Sequence, residues 1–286
     1  MTERRIGIIG GSGLYEMEGV EGKEEVAVQT PFGDPSDSIL LGHLADRAVA
    51  FLPRHGRGHR ISPSRINYRA NIFALKKLGA EWIISITAVG SMKEEIEPGQ
   101  IVIPDQFIDR TWLREPSFFG DGVVVHAALA NPVCSTLAAN LADASEEAGA
   151  KVRRGGTYIC IEGPQFSTRA ESAVYRSFGV DVIGMTNMPE AKLAREAEIC
   201  YSTVALATDY DCWHPQWEDV TVERVLDILG KNVEMARDVI REAVRTIPTD
   251  RSCKCPTALR SAIITDRAAI PEQMKKDLDL LIGKYV

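Results

Sequence analysis

Short apolar runs that each break into a chemically loaded loop, with helix-patterned stretches between them, constrain this chain more than any other feature. Arg5-Ile-Gly-Ile-Ile-Gly10 ends in Gly11-Ser-Gly13, and Ala48-Val-Ala-Phe-Leu52 ends in Pro53-Arg-His-Gly-Arg-Gly-His-Arg60. Trp82-Ile-Ile-Ser-Ile86 passes into Thr87-Ala-Val-Gly-Ser91, read as a small polar turn, and Tyr158-Ile-Cys-Ile161 into Glu162-Gly-Pro-Gln-Phe-Ser-Thr-Arg169. Val180-Asp-Val-Ile183 leads to Gly184-Met-Thr186, and Thr203-Val-Ala-Leu-Ala207 to Thr208-Asp-Tyr-Asp-Cys-Trp-His214. Helical periodicity falls between them, over Pro63 to Leu78 (stopped by Gly79), Ser135 to Ala148, a segment starting near Pro189 with Glu190 in its first turn, and Val222 to Thr246. The alternation predicts an α/β fold whose strand ends build one site.

With 286 residues, 45% of them hydrophobic, the chain is long enough for a single large domain without disulfide support. We expect that domain to span residues 1–248. Residues 249–286 change character and read as an extension packed on it, with a short helix around Pro271 to Ile282. A net charge of -7 is opposite in sign to the basic footprint of a nucleic-acid binder. There is no run of 18 apolar residues and no signal-peptide pattern, so neither a membrane partner nor export is expected and a cytoplasmic location is. Scattered cysteines fit reduced thiols, and Cys253-Lys-Cys255 is the exception in its spacing.

Three loops carry chemistry. Asp209 and Asp211 are two residues apart, and on an extended segment both would point the same way, so that one could hold a proton near neutral pH. Such a proton suits a departing nitrogen heterocycle. The segment around Arg54 and His55 is strongly basic at a strand end, which favours a small anion such as phosphate. Glycines flanking Ser12 expose amides and a hydroxyl to an anion, but they match neither the dinucleotide fingerprint nor the P-loop. No metal-site spacing accompanies the histidines of the basic segment, and no metal is expected in the chain.

Taken together, Gly10-Gly-Ser-Gly-Leu14, Arg54-His-Gly-Arg57, Asn67-Tyr-Arg-Ala-Asn71, Thr87-Ala-Val-Gly-Ser91, Asp105-Gln-Phe-Ile-Asp-Arg-Thr111, Glu162-Gly-Pro-Gln-Phe166, Gly184-Met-Thr186, Pro189-Glu190 and Ala207-Thr-Asp-Tyr-Asp-Cys-Trp213 resemble the 5'-methylthioadenosine phosphorylase family, in collinear order over about residues 5–248. The resemblance implies a nucleoside phosphorylase-like fold, a mixed β-sheet or distorted barrel flanked by helices. It implies that Ser12, Arg54, His55, Thr87, Ala88 and Thr186 bind phosphate. Met185 then packs under the ribose, Phe166 covers the base, and Asp209 and Asp211 face the purine as the catalytic acids. Relatives specific for 6-oxopurines carry Glu at the position of Ser167 and Asn at that of Asp209, so this chain falls on the 6-amino side. Val222, Val225 and Leu226 match an apolar pocket for the 5' methylthio group, and His126 matches a residue supplied by a neighbouring subunit.

By resemblance, the expected reaction is phosphorolysis of S-methyl-5'-thioadenosine by a homotrimer or a pair of trimers, with phosphate as co-substrate and no cofactor. An adenosine- or 6-oxopurine-directed purine nucleoside phosphorylase is the alternative substrate reading. Cys253-Lys-Cys255 resembles an element that forms disulfides in some hyperthermophile relatives, with Cys134 and Cys200 as a second possible pair. Two rivals come from other classes. A dinucleotide oxidoreductase would need an acid about 20 residues past the first glycine loop, and Glu24 and Glu25 lie at the wrong distance. A non-catalytic nucleoside-binding module would have no use for a phosphate cluster.

Overall fold

The computed structural model describes residues 3–11, 17–120, 122–215 and 221–286, without the side chains of residues 222–229 and 231–232. Its centre is one large mixed sheet of strands β1 (Arg5–Gly10), β2 (Glu21–Val26), β3 (Ile39–Leu44), β4 (Arg47–Pro53), β5 (Ala80–Ser91), β6 (Ile101–Ile103), β7 (Gln106–Arg110), β8 (Val152–Arg154), β9 (Thr157–Ile161), β10 (Val182–Gly184) and β11 (Cys200–Asp209). The helices are α1 (Tyr68–Lys77), α2 (Ser135–Glu147), α3 (Arg169–Ser177), α4 (Asn187–Glu196), α5 (Val222–Thr246), α6 (Glu272–Asp277) and α7 (Asp279–Ile282).

Strand order is β2-β3-β4-β1-β5-β10-β9-β7, and β11, β6 and β8 continue from β5 on its other side. The sheet stays open and does not close as a barrel. Pro104 and Asp105 carry the chain from β6 to β7 without pairing them, so β7 pairs with β9 while β6 pairs with β8 and β11. Period-two alternation divides the apolar residues between two faces. Ile9, Leu52, Ile83 and Tyr201 pack with α1 and α4, whereas Ile8, Phe51, Ile84 and Val204 pack with α2 and α5. No described helix is long and apolar enough to cross a membrane.

β5 positions the site. Its register with β1 ends at Ser85, and its antiparallel pairing with β10 begins at Gly90, so the edge over residues 86–89 lies between two neighbours. On the opposite edge β11 follows β5 from Trp82 to Gly90. That pairing, interrupted only by a bulge at Thr208 and followed by pairing of Ser91 with Val182 of β10, is why residues 87–91, expected as a turn, are strand. Helix α1 also starts later than its periodicity suggested, because the Asn67 side chain accepts the Ala70 amide and caps it there, leaving Pro63–Arg65 as a separate 3-10 turn. The extension belongs to the same core: Leu259, Ile270, Leu278 and Ile282 are buried with the α1 and α4 layer, and Cys255 with the α2 layer.

Candidate active site

Alternation on β5 and β11 places Ser85, Tyr201 and Thr203 on the face covered by α4. These hydroxyls would be costly in an apolar layer, and α4 satisfies them. Glu190, 1% exposed, accepts from Ser85 at 2.8 Å and Tyr201 at 2.8 Å, and Asn187 donates to both Tyr201 and Thr203. Arg54 completes the network. Its Nε and Nη2 donate to the two Glu190 oxygens at 2.8 and 3.0 Å, Nη2 also reaches Ser85 at 2.7 Å, and Nη1 donates to the Ile86 carbonyl on the open edge of β5 at 3.0 Å. The paired carboxylate raises the Arg54 pKa against the cost of burial. Four of its five N–H bonds therefore serve the protein.

The basic loop is consequently less positive than its composition suggests. Arg57 pairs with Glu25 at 2.8 Å and Arg60 approaches Asp37 at 3.6 Å. His55 is buried, and desolvation first, with the adjacent Arg54 cation second, pushes its pKa down to about 4. It is neutral near pH 7. With Nδ1 donating to the Ile61 carbonyl at 2.8 Å, its Nε2 is left as a hydrogen-bond acceptor. Beside this corner the hydroxyls of Thr87 and Thr186 meet at 3.1 Å, both nearly buried, joining β5 to the turn after β10. Ala88 lies next to them, and its carbonyl accepts from Thr87 at 3.1 Å.

The acids sit at the end of β11, opposite Gly90. A β-carbon on Gly90 would lie 2.9 Å from Asp209 Oδ1, so glycine is what lets the carboxylate approach β5. Asp209 accepts from the Thr208 hydroxyl at 2.7 Å and from the Asp211 amide at 2.7 Å. The expected parallel display of the two acids is corrected here. Asp211 has φ of 49°, outside extended backbone, so the chain turns between them and Asp209 holds the backbone of residue 211. Burial pushes the Asp211 carboxyl up, opposed by Ser172 and the Cys212 amide. The proton affinity thus comes first from desolvation, with the Glu171 carboxylate a lesser contributor, rather than from Asp209.

On the other flank Arg114, which no sequence motif marks, pairs with buried Glu162 at 3.0 Å and donates to the Met185 carbonyl at 2.7 Å. It fixes the Glu162-Gly-Pro-Gln-Phe loop against the Gly184-Met-Thr turn. Phe166 is 43% exposed beside it, and the buried Ser167 hydroxyl has no hydrogen-bond partner among the described residues. His126 is exposed, its amide bonded to the Ala262 carbonyl of the extension at 2.8 Å. Ser12 and the side chains of Val222, Val225 and Leu226 lie outside the described residues. Arg54, Thr87, Ala88, Thr186, Asp209 and Asp211 are gathered along β5, with His55 next to Arg54, whereas His126 is on the surface. The Arg54–Glu190 and Arg114–Glu162 pairs escape sequence reading because their partners are 136 and 48 residues apart. Glu190 in the first turn of a helix is the only local signal.

The phosphorylase superfamily model matches residues 5–245. An S-methyl-5'-thioadenosine phosphorylase of Geobacter sulfurreducens is 63% identical over 99% of this chain and 100% of its own. A crystal structure of a methylthioadenosine phosphorylase from an antarctic soil metagenomic library superposes with a TM-score of 0.94 at 49% identity, covering 98% of this chain and 99% of that one. The methylthioadenosine phosphorylase of Schistosoma mansoni in complex with adenine gives 0.85 at 37% identity, covering 91% and 99%.

Proposed function

The chain belongs to the phosphorylase superfamily and, within it, to the S-methyl-5'-thioadenosine phosphorylase family, and on that premise we propose that it cleaves S-methyl-5'-thioadenosine with inorganic phosphate to adenine and 5-methylthioribose 1-phosphate, a step of methionine and purine salvage. One observation carries the reading. A hydroxyl pair at Thr87 and an acid pair opposite Gly90 lie three residues apart on one strand, roughly 10 Å, the span from an attacking phosphate to the far edge of a purine.

In this reading phosphate is held by Thr87, Thr186, Ser12, the remaining Arg54 N–H and the Ala88 segment. His55 Nε2 accepts a hydrogen bond from monohydrogen phosphate, whose proton passes to solvent with the sugar phosphate and balances the one that the acid pair gives to the purine. A phosphate oxygen forms the bond to C1' as the C1'–N9 bond breaks, and the electron pair of that bond enters the purine. Asp209 and Asp211 between them place a proton at N7 and an acceptor at the 6-amino group, and the phosphate anion stabilises the oxocarbenium-like centre. The orphaned Ser167 hydroxyl and half-exposed Phe166 supply a polar contact and a cover for the base, and Met185 lies beneath the ribose. Every step is assigned to these side chains and to phosphate, so the reading calls for no cofactor in the reaction.

We also place the active form as a homotrimer or a pair of trimers in the cytoplasm, with His126 completing a neighbour's 5' pocket together with Val222, Val225 and Leu226. Exposed Val124 and Ile264 beside His126, and Trp112 (72% exposed) and Leu113 (69%) beside the Glu162 loop, support apolar contacts between subunits. The six unbridged cysteines are consistent with a reducing compartment.

The test is a substrate panel at saturating phosphate. Methylthioadenosine should have the highest kcat/KM, adenosine less and inosine little, and Asp209→Asn should lose roughly two orders of magnitude or more on the first. Equal rates on inosine and methylthioadenosine would overturn the 6-amino assignment.

A further inference from the structure

Four cysteines meet away from the phosphorylase site. Cys134 caps the start of α2, Cys200 opens β11, and Cys253 and Cys255 come from the extension. Their four sulfurs all lie within 4.8 Å of one another. Three are buried and Cys253 is half-buried. The two pairs suggested by sequence resemblance, Cys253 with Cys255 and Cys134 with Cys200, are not bridged. The Cys200 and Cys253 sulfurs approach instead to 3.3 Å, well beyond the roughly 2.05 Å of an S–S bond.

We propose that these four residues form a structural tetrathiolate zinc site that clasps the C-terminal extension to the phosphorylase domain. A tetrahedral Zn–S length of about 2.3 Å places sulfurs about 3.8 Å apart, so the observed cluster needs only side-chain adjustments of under about 1 Å. The donor set is all soft sulfur, with neither imidazole nor carboxylate among the four, which selects zinc over hard cations. Four protein ligands also leave no open position, the mark of a structural rather than a catalytic zinc.

The surroundings suit a dianionic centre. Arg195 Nη1 lies 3.9 Å from Cys255 Sγ, and α2 points its N-terminus at Cys134. Zn2+ displaces one proton from each thiol, four in all, and accepts a lone pair from each sulfur, with no change of oxidation state. A cavity of about 1070 Å3 borders Cys134, Cys253 and Cys255 and gives an ion a route to them. Cys160 and Cys212, the other two cysteines, stand outside the cluster.

The experiment uses the full chain, expressed with zinc in the medium and purified under reducing conditions. About one zinc per chain is expected by elemental analysis, with four of the six thiols protected from a thiol reagent until a chelator is added. Chelation should lower Tm, and added Zn2+ should restore it. Refolding with Co2+ should produce the thiolate charge-transfer and visible bands of tetrahedral sulfur coordination, and Cys253→Ser should cut zinc content roughly tenfold or more. If Cys253→Ser fails to fold, metal content and the cobalt spectrum of the unaltered chain still decide. Four reactive thiols without metal, an intact mass lower by four hydrogens from two disulfides, or bound iron in place of zinc would each overturn the assignment.

Discussion

Arg54 shows how far a residue's bonding can reach from its sequence neighbourhood. Its cationic loop pointed to an anion, yet its guanidinium is 2% exposed and turned chiefly onto Glu190. Arg54→Ala leaves a buried carboxylate without its cation, which should cost about 3–5 kcal/mol of stability. Urea denaturation checks this, and an unchanged midpoint would mean that the pair contributes nothing to folding. His55 gives the pH-dependent case. Its folded pKa of about 4 lies below the ordinary value of 6.5, so the unfolded chain binds a proton that the folded chain refuses. The resulting stability is fully present above about pH 6.5 and declines as pH falls towards 4. His55→Gln should flatten that acid limb of the stability profile, and a limb of unchanged slope would remove His55 as its source.

At the level of elements, the site depends on how closely two strands approach. Gly90 brings β5 within reach of the Asp209 carboxylate, and a methyl there would sit 2.9 Å from Oδ1 and 3.0 Å from Ile183 Cγ2. Gly90→Ala should therefore displace the acid and lower kcat/KM by about 100-fold, the effect of an ångström-scale misplacement, in a chain that still folds. Near-normal kcat/KM in that variant would show that the carboxylate need not lie against β5. The same closeness explains what sequence could and could not reveal. Helix α5 and, to within a residue, strand β9 coincide with their expected ranges, because burial of one face of the helix at Ala236, Ile240 and Val244, and of both faces of the strand, restricts the residue types there. β2 is Glu-Gly-Lys-Glu-Glu-Val, exposed except at half-buried Val26, and carries no apolar alternation. Helix α3 buries only Ser172 and is announced by its Thr168–Glu171 capping box rather than by an apolar stripe. Residues 87–91 looked like a turn because small polar residues mark turns locally, whereas here they line a site on a strand held by β11.

For the whole molecule, the fold was legible as apolar runs between helices, and the loops that gather along β5 were legible as clusters of glycine, hydroxyl, cationic and acidic residues. The ion pairs that tie those loops together were not, since each joins segments distant in sequence. Assembly is what one chain displays least. His126 lies on the surface beside exposed Val124 and Ile264, so its proposed place in a 5' pocket needs a second copy. Sedimentation at micromolar concentration should give a trimer or hexamer, and His126→Ala should raise KM for methylthioadenosine while leaving that for phosphate nearly unchanged. A fully active 31.4 kDa monomer would contradict it. Above all, phosphate rather than water is proposed to receive the sugar. Turnover of methylthioadenosine with oxygen-18-labelled inorganic phosphate, followed by mass analysis of the sugar product, decides between the two. We expect 5-methylthioribose 1-phosphate carrying the label in one-to-one ratio with adenine, and no adenine when phosphate is left out; free methylthioribose released at the same rate without phosphate would refute phosphorolysis.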